Sequence, residues 1–322
     1  MKEIPLVTVI MSVYNSETYL KEAVDSILNQ TFSDFEFIIV DDASTDASTK
    51  ILSEYSDHRI HIILNKENIG LTKSLNMCLE KARGFYIARM DADDISLPHR
   101  LEMQISFLNT HPEIVCVGGD SIIINSENKK VGRKKSLDNP IFLKFRMMLK
   151  NIISHPSLMF RKSTILKEGA YNEKFRNTQD YELWSRLLLK GYQFSNITEP
   201  LIKYRLHDAS ITHSLQGQES HSLAFITTLK NLSYYINTNN HELKIFFESY
   251  HKHNVCSLKN LVVIIKLISK FEKAFLEKEN PNKKTTCSIR RYIRQEKFKT
   301  FQWYFKKRFS ILYRIVVKIK KY

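Results

Sequence analysis

From Leu6 to Met90, short apolar runs alternate with segments of helical periodicity, and this alternation constrains the fold more than anything else in the chain. The runs are Leu6–Met11, Phe35–Val40, Ile60–Leu64 and Tyr86–Met90, each short enough to be a buried strand. Between the first two, Leu20, Ala23, Val24, Ile27 and Leu28 recur at i, i+3, i+4 spacing and predict a helix, with Ser16 as its expected N-cap. Further helices are predicted around Thr49–Tyr55 and over Leu71–Ala82. Strict alternation implies an α/β fold with a mostly parallel sheet flanked by helices, because a chain leaving one strand must cross back before starting a parallel neighbour. Ligands of such sheets bind beyond the carboxyl ends of the strands. Here those ends carry Tyr14-Asn15, Asp41-Asp42 and Asp91-Ala92-Asp93, which are expected to converge. No GxGxxG follows the first strand, which disfavours a dinucleotide-binding dehydrogenase.

At the fourth strand end, three carboxylates, Asp91, Asp93 and Asp94, are crowded together. They repel one another unless a cation binds them, and hard oxygen ligands suit Mg²⁺ or Mn²⁺. The bland alternative is a solvated acidic turn in which Asp94 or Ser96 caps a helix starting at Leu97-Pro98.

Beyond this stretch the periodicity predicts a helix from Pro98 to about Asn109, a strand over Ile114–Val117, and a hairpin near Ser121–Gly132 that turns at Glu127–Lys130. A helix over Phe142–Leu149 is followed by His155 in an apolar run. Gln179-Asp180 opens an amphipathic helix carrying Tyr181, Trp184, Leu187 and Leu188. Two short strands, Tyr192–Asn196 and Leu201–Leu206, close a domain of residues 1–215. Residues 216–322 read as a separate helical, basic region, with the boundary near Ser214–Glu219.

Charge is distributed very unevenly. From Lys283 onward fourteen Lys or Arg face one acid, Glu296, so this segment holds +13 of the chain's +15. Trp303–Tyr322 mixes aromatic and aliphatic residues with basic ones at spacings that allow an amphipathic helix, which points to an anionic membrane surface. A nucleic-acid patch would share the charge, and a solvated basic tail would share the composition. The four cysteines form no CxxC pair, so a zinc site or disulfide framework is disfavoured and a reducing compartment is expected. Leu6–Met11 is too short for a signal-peptide core, and Leu261–Ile268 and Ile311–Ile319 are too short to span a bilayer. The expected location is the cytoplasm, peripheral on the inner face of the membrane.

Several motifs stand in order: Val9-Ile-Met-Ser-Val-Tyr-Asn15, Ser26-Ile-Leu-Asn-Gln-Thr-Phe32, Phe37-Ile-Ile-Val-Asp-Asp-Ala-Ser-Thr-Asp46, Asn68-Ile-Gly70, and Ala88-Arg-Met-Asp-Ala-Asp-Asp94 with Pro98 and Arg100. Together they resemble the family 2 glycosyltransferases of GT-A fold, over roughly residues 5–210. The basic C-terminus matches no pattern of that family. The resemblance implies a UDP-sugar donor held by Ser12, Tyr14, Asn15, Asp41, Asp42, Asp91 and Ala92, with Tyr14 stacked on uracil and a carboxylate accepting its imide N–H. It implies a metal on Asp93 and Asp91 with His207, the general base at Asp180, and an acceptor side lined by His155, Gln179 and Arg205. Where the family usually places Glu before the base, this chain has Gln179. Arg205 could equally pair with phosphate or with an acid. The implied reaction inverts the anomeric centre, moving galactose, glucose or an N-acetylhexosamine to a hydroxyl of a saccharide or lipid-linked saccharide such as lipopolysaccharide, O-antigen or capsule.

Two other function classes compete with this one. A nucleotidyltransferase also needs a metal and acids at strand ends, but it should show a first loop rich in Gly and Lys or Arg, and Ser12-Val-Tyr-Asn-Ser16 has neither. A nucleic-acid-binding protein would use the basic C-terminus, yet that charge avoids the acidic strand ends, and nucleic acid is not the expected partner.

Overall fold

The computed structural model describes residues 4–207, 217–251 and 257–308. Strand and helix alternate as expected: β1 (Val7–Val13), α1 (Leu20–Leu28), β2 (Phe35–Asp41), α2 (Ser48–Ser53), β3 (Ile60–Leu64), α3 (Leu71–Lys81) and β4 (Tyr86–Met90). β1 lies between β2 and β4, and β3 flanks β2, all in parallel. Every residue of β2 and β4 is buried, as is all of β1 except Ser12, which is half-buried. Strands covered on both faces need such largely apolar runs; β3, at the sheet edge, is half-buried to exposed.

The chain continues through β5 (Ile95–Ser96), α4 (Arg100–Thr110), β6 (Ile114–Ile124), β7 (Lys130–Lys134), α5 (Pro140–Leu149), a single 3₁₀ turn at His155–Ser157, β8 (Met159–Arg161), α6 (Lys162–Lys167), α7 (Gln179–Leu189) and β9 (Gln193–Arg205). The sheet extends from β4 in the order β8, β6, β9, β5, and β7 pairs with β6 outside this path. β8 runs antiparallel to β4 and β6, while β6 and β9 pair in parallel. This is the GT-A arrangement of a mixed α/β sheet flanked by helices.

Four local expectations are corrected. The strand predicted to stop at Val117 runs on to Ile124, and the two short strands after Tyr192 are one strand of 13 residues. The polar breaks are irregularities in the β6–β9 ladder, where the register shifts on both sides of Asp120. A Cβ on Gly119 would come within 2.5 Å of the Leu201 side chain, so glycine there permits close strand approach and does not end the strand. The helix expected to begin at Leu97-Pro98 begins at Arg100, because the Leu97 N–H is taken by the Leu201 carbonyl (2.9 Å), and neither Asp94 nor Ser96 caps it. Ser16 does not cap α1; its hydroxyl donates to the Tyr14 carbonyl, and Tyr19 occupies the cap position.

Contacts divide the chain into two units, one of residues 1–143 and 152–223, the other of residues 144–151 and 224–322. The boundary expected at 215/216 lies outside the described residues. The second unit is helical: the end of α5, most of α8 (Gly217–Ser233), α9 (Asn240–His251), α10 (Leu258–Glu279) and α11 (Lys283–Arg308). Phe145 stacks on Phe271 at 5.0 Å and meets Phe275 edge-on at 4.9 Å, while Lys144 pairs with Glu279 at 2.9 Å. Ser257 caps α10 through the Asn260 N–H, and Asn280 closes it in the left-handed conformation. α11 contributes buried Thr285, Ile289, Ile293 and Thr300, so the basic segment from Lys283 to Arg308 is a structural helix of this unit. The remainder of the helix expected over Trp303–Tyr322, residues 309–322, lies outside the described residues. No helix among the described residues is long and apolar enough to cross a membrane.

Candidate active site

The parallel register sets the site. Val13 of β1 is opposite Asp41 of β2, and Met11 is opposite Met90 of β4, so Tyr14, Asp42 and Asp91 all follow adjacent strand ends. Two backbone residues there, Asn15 and Ala43, adopt positive φ (48° and 59°), strain of the kind that concentrates at functional sites. The two turns are laced together: the Asn15 N–H donates to Ser44 Oγ (3.0 Å), and the Thr45 N–H donates to Asn15 Oδ1 (2.8 Å). Ser12 is half-buried beside them, and Tyr14 is 50 % exposed.

Asp41 and Asp42, the pair expected on the donor side, are both buried and accept hydrogen bonds from the fold. Asp42 is buried and accepts from Asn65 Nδ2 (2.7 Å), the Ile69 N–H (3.0 Å) and the Gly70 N–H (2.8 Å). Gly70 reaches this carboxylate at φ 90°, which explains the Asn68-Ile-Gly70 motif as a cradle built for Asp42. Asp41 accepts from the Ser44 N–H and from Thr49 Oγ1. A buried carboxylate needs such donors, and here they come from the fold itself.

At the end of β4, one oxygen each of Asp91, Asp93 and Asp94 lie within 4.8 Å of one another. Burial first, and then the Asp91 charge, raise the Asp93 carboxyl above its ordinary value, with His207 opposing; burial and both neighbours push Asp94 well above the usual range. Asp94 Oδ1 accepts the Arg205 N–H (2.9 Å), but its buried Oδ2 has no hydrogen-bond partner among the described residues. Thr178 Oγ1 and Gln179 Oε1 are likewise buried without one. An orphaned buried carboxylate oxygen and mutually repelling carboxylates are what a bound divalent cation relieves, so Asp91, Asp93 and Asp94 fit one.

Two arginines frame this cluster from inside. Arg89, within the apolar strand β4, is buried and paired with Asp91. Arg205 is also buried; its Nε donates to the Asp93 carbonyl (2.7 Å), Nη2 to Glu22 Oε2 (2.7 Å), and Nη1 to Asn128 Oδ1. Of the two partners open to Arg205, the structure therefore shows an acid. Tyr19 stacks on the Arg205 guanidinium (4.2 Å) and touches the His207 ring (5.1 Å), whose Nε2 lies 2.9 Å from Asp93 Oδ2. Arg100 is buried beneath, donating to the Arg89 carbonyl (2.7 Å), and burial pushes its guanidinium down to about 9. Glu22, Tyr19, Asn128 and Arg89 escaped the sequence reasoning. Only Arg89 carried a local signal, since a charge inside a buried strand demands a partner.

On the other side, His155 is buried, with Nε2 2.8 Å from the Tyr171 hydroxyl and its ring edge-on to Trp184. Burial and the Arg89 charge hold its pKa well below the ordinary value, so it is neutral. Its place is the core under the site. Burial raises the pKa of Tyr171, which feels the charges of both Arg89 and Asp180. Asp180 is half-buried in the first turn of α7, where Thr178 holds the cap position, and its Oδ1 accepts the Tyr181 N–H (2.7 Å). Gln179 beside it is buried.

An α/β sheet with carboxylates gathered at its strand ends is the architecture of an enzyme that binds its ligand in the crevice there. The sequence is specific about which class. The model of the family described as Glycosyl transferase family 2 matches residues 8–169. An uncharacterized glycosyltransferase of Methanocaldococcus jannaschii is 38 % identical over 253 residues, 76 % of this chain and 86 % of that protein. The O-antigen biosynthesis glycosyltransferase WbnJ of Escherichia coli is 36 % identical over 65 % of this chain and 83 % of its own length. Among solved structures, S. aureus TarS 1–349 in complex with UDP-GlcNAc shares the fold with a TM-score of 0.61 at 17 % identity, over 94 % of this chain and 91 % of that one. The chain belongs to glycosyl transferase family 2 and is a glycosyltransferase.

Proposed function

We propose that the chain is an inverting, metal-dependent glycosyltransferase that moves a hexose from a UDP-sugar to a hydroxyl of a lipid-linked or surface-polysaccharide acceptor at the cytoplasmic face of the membrane. The observation that carries this is the Asp91–Asp93–Asp94 cluster, with Asp94 Oδ2 unpartnered, one strand away from the exposed Tyr14. Tyr14 supplies a face for the base, and Ser12 and Asn15 supply polar groups beside it. Asp41 and Asp42 act by holding those turns in shape. Asp91 and Ala92 line the donor side. Asp93, Asp91 and His207 would hold Mn²⁺ or Mg²⁺, and when bound the cation supplies positive charge against that developing on the departing diphosphate. Arg205 and Tyr19 fix Asp93 and His207 in place, so the acceptor-side part expected of Arg205 becomes a positioning one.

Asp180 takes the proton from the acceptor hydroxyl, which is a poor nucleophile until that proton leaves. Attack from the face opposite UDP converts an α-linked donor into a β-glycoside. Galactose, glucose and the N-acetylhexosamines are the donor sugars in view. The UDP-GlcNAc complex of TarS supports the nucleotide, and the O-antigen role in WbnJ's name supports the acceptor class. A screen of UDP release with UDP-galactose, UDP-glucose, UDP-GlcNAc and UDP-GalNAc against a GlcNAc-diphosphate-lipid analogue tests the proposal. Release with one donor, dependent on both acceptor and divalent metal, is the expected result. No release with any UDP-sugar, alongside turnover of another nucleotide sugar, would overturn the donor assignment.

A further inference from the structure

α11 has two opposite sides of different chemistry. Thr285, Ile289, Ile293, Glu296 and Thr300 are buried along one of them. On the other, Lys283, Lys284, Arg290, Arg291 and Arg294 share one helical face, all exposed, and the same line runs on into Phe298 (60 % exposed) and Phe301 (45 %). The helix's one acid, Glu296, is on the buried side and engages Lys299 at 2.9 Å, while Glu272 of α10 meets Lys297 at 3.6 Å. Both acids thus serve lysines flanking the exposed line, and among the described residues the five cations of the line make no ion pair. Fixed like charges repel, and large exposed phenyl rings lose hydration free energy, so a surface combining both is built for something outside the fold.

A binding partner must satisfy both halves of this surface. Phenyl rings have no polar handle and gain from leaving water, whereas the cations gain from staying near fixed negative charge. The boundary between headgroups and acyl chains of a bilayer offers both at one depth. The line from Lys283 to Phe301 runs along about 27 Å of one helix, which suits a flat anionic plane. We propose that this face of α11 docks the protein on an anionic lipid bilayer, with Phe298 and Phe301 entering the interface and Lys283 to Arg294 lying over the headgroups. This rests on the membrane-borne acceptor proposed above, and it names the surface that reaches it.

The test is sedimentation of the full-length protein with phosphatidylglycerol-containing vesicles and with pure phosphatidylcholine vesicles. Wild type should bind the former and not the latter, and binding should weaken as salt rises. Each basic group near such a surface is worth about a fivefold gain in partitioning, so the triple variant Arg290→Gln/Arg291→Gln/Arg294→Gln should bind about 100-fold more weakly. Phe298→Ser/Phe301→Ser should lose roughly tenfold or more at unchanged charge. All five positions are exposed, so thermal midpoints should match wild type, which confirms that a loss is not unfolding. Vesicle binding equal to wild type in both variants would overturn the proposal and pass the role to other segments. So would a wild type that ignores anionic vesicles but binds a single-stranded oligonucleotide. UDP release with a water-soluble acceptor should be unchanged in both variants; its absence in wild type would sink the transferase reading and leave vesicle binding untouched.

Discussion

Arg205 in the first unit and Arg291 in the second are the same side chain used in opposite ways. Arg205 is buried, and every arm of its guanidinium is assigned, to Asp93, Glu22 and Asn128, with Tyr19 across its face. Arg291 stands exposed on α11 among other cations. Burial makes a charge costly unless each donor is matched, so a buried arginine becomes a fixed geometric part of a site. An exposed arginine keeps its water, acts through the summed field of its neighbours, and is weakened by salt. The two units of this protein therefore handle charge on different principles: individual contacts at the strand ends, collective charge on the helix.

The comparison can be broken in several places, beginning with the largest effect. Asp93→Ala should lower transfer by about 10³-fold or more, as should excess chelator, because several kcal/mol of leaving-group stabilisation is lost. Mn²⁺ should raise the thermal midpoint of wild type and leave that of Asp93→Ala unmoved, by mass action on the folded state. Full turnover in chelator would show that the acidic cluster is only a solvated turn.

Asp180→Asn should cost about 10²–10⁴-fold in turnover with UDP affinity preserved, since the base meets the acceptor and not the nucleotide. Lost UDP affinity with intact turnover at saturation would make Asp180 a structural residue of α7.

The arginines give the direct contrast. Arg205→Met should cost about 1–3 kcal/mol in chemical denaturation, because the Asp93 carbonyl loses its donor, while Glu22, 42 % exposed, can turn to water. Arg291→Met should stay within about 0.5 kcal/mol of wild type. Similar losses for both would erase the distinction drawn here.

The smallest effect concerns pH. The folded-state pKa of His155 is depressed by burial and by Arg89, so the unfolded chain binds its proton more readily. Stability from this group is complete above the unfolded pKa of about 6.5 and is lost as pH falls below it, by at most about 2 kcal/mol at pH 5. The loss should be largely absent in His155→Gln, measured as the difference in unfolding free energy between pH 7 and pH 5. An identical pH profile in the two proteins would mean that His155 protonates freely.

Much of the site was legible because it is local in sequence. Acids at the end of an apolar run announce a cation site, and Asp91, Asp93 and Asp94 do converge within 4.8 Å. What was illegible depends on long-range pairing. Glu22 and Arg205 are 183 residues apart, and nothing in either neighbourhood points to the other. The Asp41-Asp42 pair reads identically whether its carboxylates face a ligand or the fold. Only the positions of Asn65, Ile69 and Gly70 show that Asp42 faces the fold. His155 was open between core and acceptor side until Tyr171 and Trp184 enclosed it.

By itself the sequence determined the alternation of β1 through β4, the parallel sheet this forces, the strand ends at which chemistry must gather, and the family. The elements and the sheet follow from periodicity and chain connectivity, which act over a few residues at a time, and the family from the resemblance of several short motifs standing in order. Tertiary structure alone decided that β6 and β9 run through their glycine and polar breaks as single strands, and that Lys283–Arg308 is a packed helix with one cationic face. It also decided which charges are buried with partners and which are left to solvent. The physical reason is that desolvation and ion pairing depend on what arrives in space from distant parts of the chain, and no local pattern encodes that.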